Sequence, residues 1–227
     1  MTLLNELEKL LPADRSKSRL IVRIAVASGA GFYHLVPRVV VQPETEEEVI
    51  QLFRISPPYR IPVVFRTGGT SLSGQSITDG ILVDLSQYWR QVNVEQQGER
   101  VRVQPGITGA MVNAHLRRYK RKIGPDPSSI SAAMMGGILS NNASGMCCGV
   151  RYNSYHTTRA IRFILPDGQC FSTENTADYE RFISDCAPLA EELRQLRNEI
   201  LNDPVLQQKI RDKYRTKNTV GNSLNAL

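Results

Sequence analysis

Arg66-Thr67-Gly68-Gly69-Thr70-Ser71-Leu72-Ser73-Gly74-Gln75-Ser76 follows the apolar run Ile61-Pro62-Val63-Val64-Phe65, and the reading of this stretch decides the fold. Three glycines among eleven residues let a backbone take positive φ and come close to a ligand. Five hydroxyl side chains and a run of N–H groups supply hydrogen-bond donors, which is the chemistry of a diphosphate cradle. Arg66, at the strand exit, adds a charged donor for phosphate oxygens. An ordinary Gly/Ser-rich surface loop has the same composition, so composition alone leaves both readings open.

Working outward from the loop, residues 36–41 form a β-branched run bounded by prolines, the pattern of a buried strand. Thr45 with Glu48 makes a capping box that opens a helix, whose Val49, Ile50, Leu52 and Phe53 fall on one side. Pro57-Pro58 ends that helix, and Ile61 to Phe65 supplies a second strand. The result is a β-α-β unit with the glycine loop at the carboxyl end of its second strand, where ligands of α/β sheets sit.

Further upstream, Leu3, Leu7, Leu10 and Leu11 give a helix one apolar face before Pro12 stops it. Residues 20–31, ending Ser28-Gly29-Ala30-Gly31, imitate a strand running into a dinucleotide-binding G-x-G-x-x-G. His34 stands where the third glycine belongs and Pro37 would break the helix that such a turn opens, which excludes the Rossmann reading.

Downstream of the loop the texture changes to short strands at residues 81–84, 92–94 and 101–103. The turn Gln97-Gly98-Glu99 joins the last two, so this part is expected to be antiparallel. Pro105-Gly106 turns the chain, and Thr108 caps a helix running to about Tyr119. Gly124-Pro125-Asp126-Pro127-Ser128-Ser129 reads as a rigid turn, and the small-residue segment 132–145 after it suits close approach of backbone to a flat ligand or tight packing. Alternating Ile161, Phe163 and Leu165 lead through Pro166-Asp167-Gly168 to a return strand at Cys170 and Phe171. Pro188 starts a helix with a stripe of Leu189, Leu193, Leu196 and Ile200, and Asp203-Pro204 caps another. Residues 219–227 read as a loop leading to a next element.

With 227 residues, 41% of them apolar and 22% charged, the composition is that of a globular protein with a normal core. The absence of a long apolar run, and Glu6, Glu8 and Lys9 near the start, predict a cytoplasmic chain with no membrane span. The net charge of +6 brings no nucleic-acid recognition motif with it; Arg117-Arg118-Tyr119-Lys120-Arg121-Lys122 ends a helix and suits its dipole. The basic series Lys209, Arg211, Lys213, Arg215 and Lys217 reads as a solvated face. Cys147, Cys148, Cys170 and Cys186 form no C-x-x-C pair, so structural thiols and no metal site are expected. A P-loop is excluded, since no G-x-x-x-x-G-K-[ST] occurs.

Two loops and their order resemble the FAD-binding domain of the vanillyl-alcohol-oxidase type, also called the p-cresol methylhydroxylase fold. The likeness is strongest toward FAD-linked D-lactate and other D-2-hydroxy-acid dehydrogenases. The resemblance implies an α+β fold: a small β-α-β subdomain and a second subdomain with a mostly antiparallel sheet flanked by helices, with FAD between them. Residues 1–35 would be an N-terminal helical segment. Residues 36–175 would be the FAD domain, divided at about 84, and residues 176–227 would be helices leading toward a cap domain that carries the substrate-binding arginines and the base.

The resemblance assigns the FAD diphosphate to Arg66, Thr67, Gly68, Gly69, Thr70, Ser71, Leu72, Ser73, Gly74, Gln75 and Ser76, with Pro105 and Gly106 beside the cofactor. It lines the flavin from the other side with Pro127, Ser128, Ser129, Met135, Gly136, Gly137, Ile138, Asn141, Asn142, Ser144 and Gly145, and brings Ile161 to the adenine end. Thr70 stands where covalently flavinylated members carry histidine, so the resemblance implies non-covalent FAD. Residues 28–33 lack the acidic residue found in such relatives. No catalytic residue is assigned among His34, His115 and His156. The implied function is oxidation of a D-2-hydroxy acid such as D-lactate, with an electron acceptor as partner and room for peripheral membrane contact in the full enzyme. The alternative is an FAD-binding module that is catalytically incomplete.

Overall fold

The structure, a computed structural model, describes residues 3–216 and 224–226. Of the C-terminal loop read above, residues 219–223 and 227 lie outside the described residues, as does Lys217 of the basic series. The first half comprises α1 (Leu3–Leu10), β1 (Ser16–Lys17), α2 (Leu20–Ala25), β2 (Val39–Val41), α3 (Glu46–Ile55), β3 (Val63–Arg66) and β4 (Ile81–Asp84). Its sheet has the order β1-β2-β4-β3. β4 pairs parallel with β2 (Val39 opposite Ile81) and with β3 (Val63 opposite Ile81), while β1 is antiparallel to β2.

The sequence pattern placed residues 81–84 with the antiparallel strands; they form instead the central parallel strand. Two parallel strands need a crossover of about a dozen residues or more, and residues 67–80 between β3 and β4 are long enough to provide it without a helix. Residues 20–25, which imitate a strand, form the helix α2. The strand expected over residues 36–41 is confined to Val39–Val41.

Both faces of this sheet are covered. Val39, Val41, Ile81 and Val83 pack with Leu3, Leu7 and Leu11 and with Leu52 of α3, and Val40 and Leu82, on the opposite face, are also buried. Burial on both sides explains strands that read as continuous apolar runs rather than alternating ones.

The second half begins with the hairpin β5 (Val92–Glu95) and β6 (Arg100–Val103), followed by α4 (Gly109–Leu116) and α5 (Met135–Ser140). Thr108 caps α4 by accepting the Met111 N–H. Ile107, Val112, Leu116, Ala133, Met135 and Ile138 form this half's core, roofed by Val92, Val94, Val101 and Val103. After α6 (Ser154–Thr157), a second antiparallel hairpin, β7 (Arg162–Ile164) and β8 (Cys170–Ser172), leads to α7 (Thr176–Asp185), α8 (Ala187–Asn202) and α9 (Pro204–Tyr214). Phe171 packs against Phe163 with the rings tilted by 33° and meets Phe182 of α7 edge-on. Of the expected α8 stripe, Ile200 is buried while Leu189, Leu193 and Leu196 stay exposed.

Two ion pairs converge on the start of α3. Thr45 caps the helix by accepting the Glu48 N–H at 3.2 Å. The Glu48 carboxylate takes the Glu44 N–H at 2.6 Å and the Arg15 guanidinium at 2.7 and 2.8 Å, which ties the chain before β1 to the helix. Glu46 holds Arg162 of β7 at 2.7 and 2.6 Å, and the hairpin turn at Gly168 rests on Ile50 and Arg54 of the same helix. Hydrogen bonding to Arg162 pulls the Glu46 carboxyl below its ordinary pKa. Burial pushes Glu48 up, but its bonds to Arg15 and Glu44 prevail and the net shift is downward.

Because both carboxyls titrate below an unfolded value of about 4.3, their stabilisation is complete above that pH and is lost as pH falls through the lowered folded values. Thermal unfolding followed from pH 7 down to pH 3, both roughly chosen to span this window, should show a steep acid loss that Glu48→Gln flattens. Leu52→Ala, at a fully buried position, should cost about 2–5 kcal/mol in urea unfolding.

Candidate functional site

The crossover loop is organised from beneath by Arg66. The Arg66 carbonyl accepts the Leu85 N–H at 2.9 Å, so the end of β3 is fixed to the chain leaving β4. From there the Arg66 Nη1 donates to the carbonyls of Val26 (3.0 Å) and Ser28 (2.8 Å) and reaches that of Ser76 at 3.5 Å. Its guanidinium lies across Gly69, whose φ is +63° and where a Cβ would stand 2.4 Å from Nη2. A side chain at Gly69 would be both strained and blocked. Burial lowers the Arg66 pKa from its ordinary value, opposed by Asp84, its register partner on β4.

Residues 26–35, which include the false Rossmann pattern, fold back on this loop. Leu35 N–H donates to Ala27 O, and Ala30 N–H donates to Gly69 O at 3.1 Å. Gly31 presses so closely that a Cβ would lie 2.2 Å from Leu72 O. On the other side, a Cβ on Gly68 would lie 2.3 Å from the Ala132 carbonyl oxygen, which joins the loop directly to the second small-residue segment. That segment is fixed in turn by Met135 N–H to Ile107 O (2.8 Å) and Gly136 N–H to Pro105 O (2.9 Å).

Between the two segments opens a cleft of about 360 Å³. Of the residues expected at the site, Arg66, Thr67, Gly69, Thr70, Ser71, Gln75, Ser76, Pro105, Pro127, Ser129, Gly136, Gly137, Ile138 and Asn141 line it. The others stand off the wall for identifiable reasons. Gly68 backs against Ala132 and Gly74 against the Tyr33 ring, Gly106 packs on Leu85, and Gly145 packs on Asp126. Leu72, Ser73, Ser128 and Ile161 are exposed away from it, and Met135 belongs to the core. Asn142 accepts the Tyr155 N–H, and Ser144 accepts the Asp126 N–H through its carbonyl.

Six further residues line the wall: Ala133, Met134, Ser140 and Ala143, which fall inside the segment 132–145 without an individual assignment, and Phe65 and Leu85, which fall outside both assigned segments. Ser140 was legible, since it follows Gly136 and Gly137 at helical spacing on α5. Phe65 shares its strand face with Val63 and meets the Phe53 ring of α3 at 5.6 Å, so alternation alone points it to the helix layer and its place on the cleft wall comes from its position at the end of β3.

The wall is chemically mixed. It carries the hydroxyls of Thr67, Thr70, Ser71, Ser76, Ser129 and Ser140 together with the apolar side chains of Phe65, Leu85, Ile138 and two prolines. Among the described residues, Arg66 is the one charged side chain on it. The buried Ser76 Oγ has no hydrogen-bond partner, nor does Asp126 Oδ1 in the turn that supplies Pro127 and Ser129. An unpaired hydroxyl and a cation on one wall suit a bound anion, and the apolar side chains suit a flat ring system. FAD carries both features.

His34, His115 and His156 are exposed and off the cleft; Asn153 Oδ1 lies 2.8 Å from His156 Nδ1. The Cys170 thiol is pushed up by burial, which disfavours thiolate chemistry. Among the described residues no group of His, Cys, Asp or Glu is arranged to hold a metal, and no helix is long and apolar enough to cross a membrane.

Comparison with known proteins agrees with this architecture. Residues 37–174 match the family model described as FAD binding domain. The chain is 30% identical over 152 residues to the glycolate oxidase subunit GlcD of Escherichia coli strain K12, covering 66% of this chain and 30% of that one. It is 28% identical over 186 residues to D-2-hydroxyglutarate dehydrogenase of Haemophilus influenzae, covering 78% and 18%. The chain therefore spans less than a third of the length of these relatives. Among solved structures, substrate-bound p-cresol methylhydroxylase superposes with a TM-score of 0.63 at 16% identity, covering 75% of this chain and 34% of that one, which establishes a shared fold. The family match spans both small-residue segments and the cleft between them, and FAD is the cofactor it specifies: this chain belongs to the FAD binding domain family.

Proposed function

We propose that this chain is the FAD-binding portion of a flavoprotein oxidoreductase that oxidises a D-2-hydroxy acid such as D-lactate. The observation that supports the reading is the cleft between residues 66–76 and 132–145, whose wall combines hydroxyls and one cation with apolar side chains. The relatives' names point to 2-hydroxy acids as the substrate class.

In this reading Thr67, Thr70, Ser71 and Ser76 donate to the diphosphate, Arg66 supplies positive field beneath it, and Gly136, Gly137 and Ile138 lie along the ring system. Residues 36–175 form the cofactor domain, with its parts 36–84 and 85–175 on either side of the cleft, and residues 176–227 lead toward a substrate domain. When bound, FAD supplies the hydride acceptor, N5 of its ring system. The chain's own residues hold and orient it; Thr70 offers no imidazole for attachment, which leaves the cofactor non-covalent. Electrons pass to a separate acceptor, and we place the enzyme in the cytoplasm with peripheral membrane contact through the longer protein.

A second reading is favoured by one observation: among the described residues the cleft wall carries no histidine, lysine or carboxylate that could serve as base. The chain is then an FAD-binding module that turns over only together with a substrate domain.

The purified chain should be yellow and release FAD on denaturation; a colourless chain that takes up no added FAD contradicts the cofactor assignment. Dye reduction with D-lactate, glycolate and D-2-hydroxyglutarate separates the two readings, since bound FAD without turnover supports the module. Gly68→Ala, which drives a Cβ into the Ala132 carbonyl, should part the two segments and weaken FAD binding by about tenfold or more. Fluorescence titration of the variant measures this.

A further inference from the structure

Arg66 sits at an unusual conjunction. It ends a strand, lines the cleft, and spends Nη1 on the carbonyls of a segment some forty residues earlier in the chain. Among the described residues it makes no ion pair. The Asp84 carboxylate beside it in register is engaged by Gln42 Nε2 at 2.6 Å and by the Ser86 N–H at 2.9 Å. The guanidinium is thus hydrogen-bonded only to neutral oxygens, and the Asp84 carboxylate acts on it through space.

Carbonyl partners on two different segments give this cation a geometric task. Val26 O and Ser28 O belong to the fold-back of residues 26–35, and Ser76 O belongs to the end of the glycine loop. Within hydrogen-bond reach of one nitrogen, all three are drawn to the end of β3, and the planar fork is seated across Gly69. Contacts between the segments then follow, notably Ala30 N–H to Gly69 O. A lysine would retain the charge, but its compact ammonium cannot lie flat across Gly69 while serving the same carbonyls.

We propose that Arg66 is a positioning residue for the cofactor: it locks residues 26–31 onto the glycine loop, and this lock sets where the loop's donors meet the FAD diphosphate. The consequence for the cofactor rests on the FAD reading above; the lock itself rests on the geometry of the protein without ligand.

The test is hydrogen exchange on the cofactor-free chain together with FAD titration, using Arg66→Met and Arg66→Lys. In Arg66→Met the Ala30 amide should exchange about tenfold faster or more, with the amides of β4 unchanged, because the opening is local. FAD affinity should fall by about tenfold or more. Arg66→Lys should recover part of the affinity through its charge but little of the Ala30 protection. If Ala30 protection in Arg66→Met stays within about twofold of the parent, the lock is wrong. Full recovery of affinity by Arg66→Lys with Ala30 still unprotected would make Arg66 a charge donor alone and overturn the positioning role. Should the parent chain bind no FAD, the cofactor reading fails by itself, and Ala30 exchange still decides the lock.

Discussion

The constraint from which the rest of the structure follows is the parallel insertion of β4 between β2 and β3. A parallel neighbour cannot be reached by a tight turn, so the chain leaving β3 must travel back across the sheet end before it re-enters. Residues 67–80 make that journey without a helix, which leaves a long stretch of backbone at the carboxyl edge of the strands. Such a stretch needs partners for its polar groups and a surface to lie on. Arg66, the fold-back of residues 26–35 and the segment around Ala132 provide them, and an ordered glycine-rich loop is the product.

The same constraint explains why the cleft lies where it does. One apolar cluster sits under α1 and α3, and another sits under β5, β6 and α4. The crossover loop leaves the end of β3, while residues 132–145 contribute Ala133, Met135 and Ile138 to the second cluster. Their closest approach, Gly68 against Ala132, tolerates no side chain. Bridges farther out hold the halves in place: Trp89 Nε1 donates to Pro43 O at 2.8 Å, and Arg162 clasps Glu46. An exposed pair such as the latter adds about 1 kcal/mol at most, so its value lies in fixing where the β7–β8 hairpin docks.

Much of this was legible in the residues themselves. The glycine loop, the capped helix at Thr45, the Gln97-Gly98 hairpin and the helix opened by Thr108 each carry a local chemical signature, and each is found. What could not be read were features decided by distant partners. β4 has the same apolar run whether it pairs parallel or antiparallel, and only the length of residues 67–80 hints at the answer. Residues 20–25 include the β-branched Ile21, Val22 and Ile24 and look like a strand; they adopt a helix that buries none of its residues. Arg66 was read as a phosphate donor, because no local signal shows that its Nη1 would meet carbonyls forty residues upstream. The motif assigns every residue of 66–76 to the cofactor, whereas Gly68, Leu72, Ser73 and Gly74 stand off the wall, Gly68 and Gly74 packed behind it on Ala132 and Tyr33.

Whether this wall is built for a diphosphate is decided most directly by calorimetric titration of the purified chain with FAD, FMN and riboflavin under identical conditions. If residues 66–76 cradle the diphosphate, FAD should bind about a hundredfold or more tighter than FMN, which lacks the second phosphate with its charge-assisted hydrogen bonds and the adenosine, and FMN in turn tighter than riboflavin, which differs from it by the first phosphate alone. Equal affinity for FAD and riboflavin would show that the cleft grips only the ring system, and would contradict the role assigned to the glycine loop.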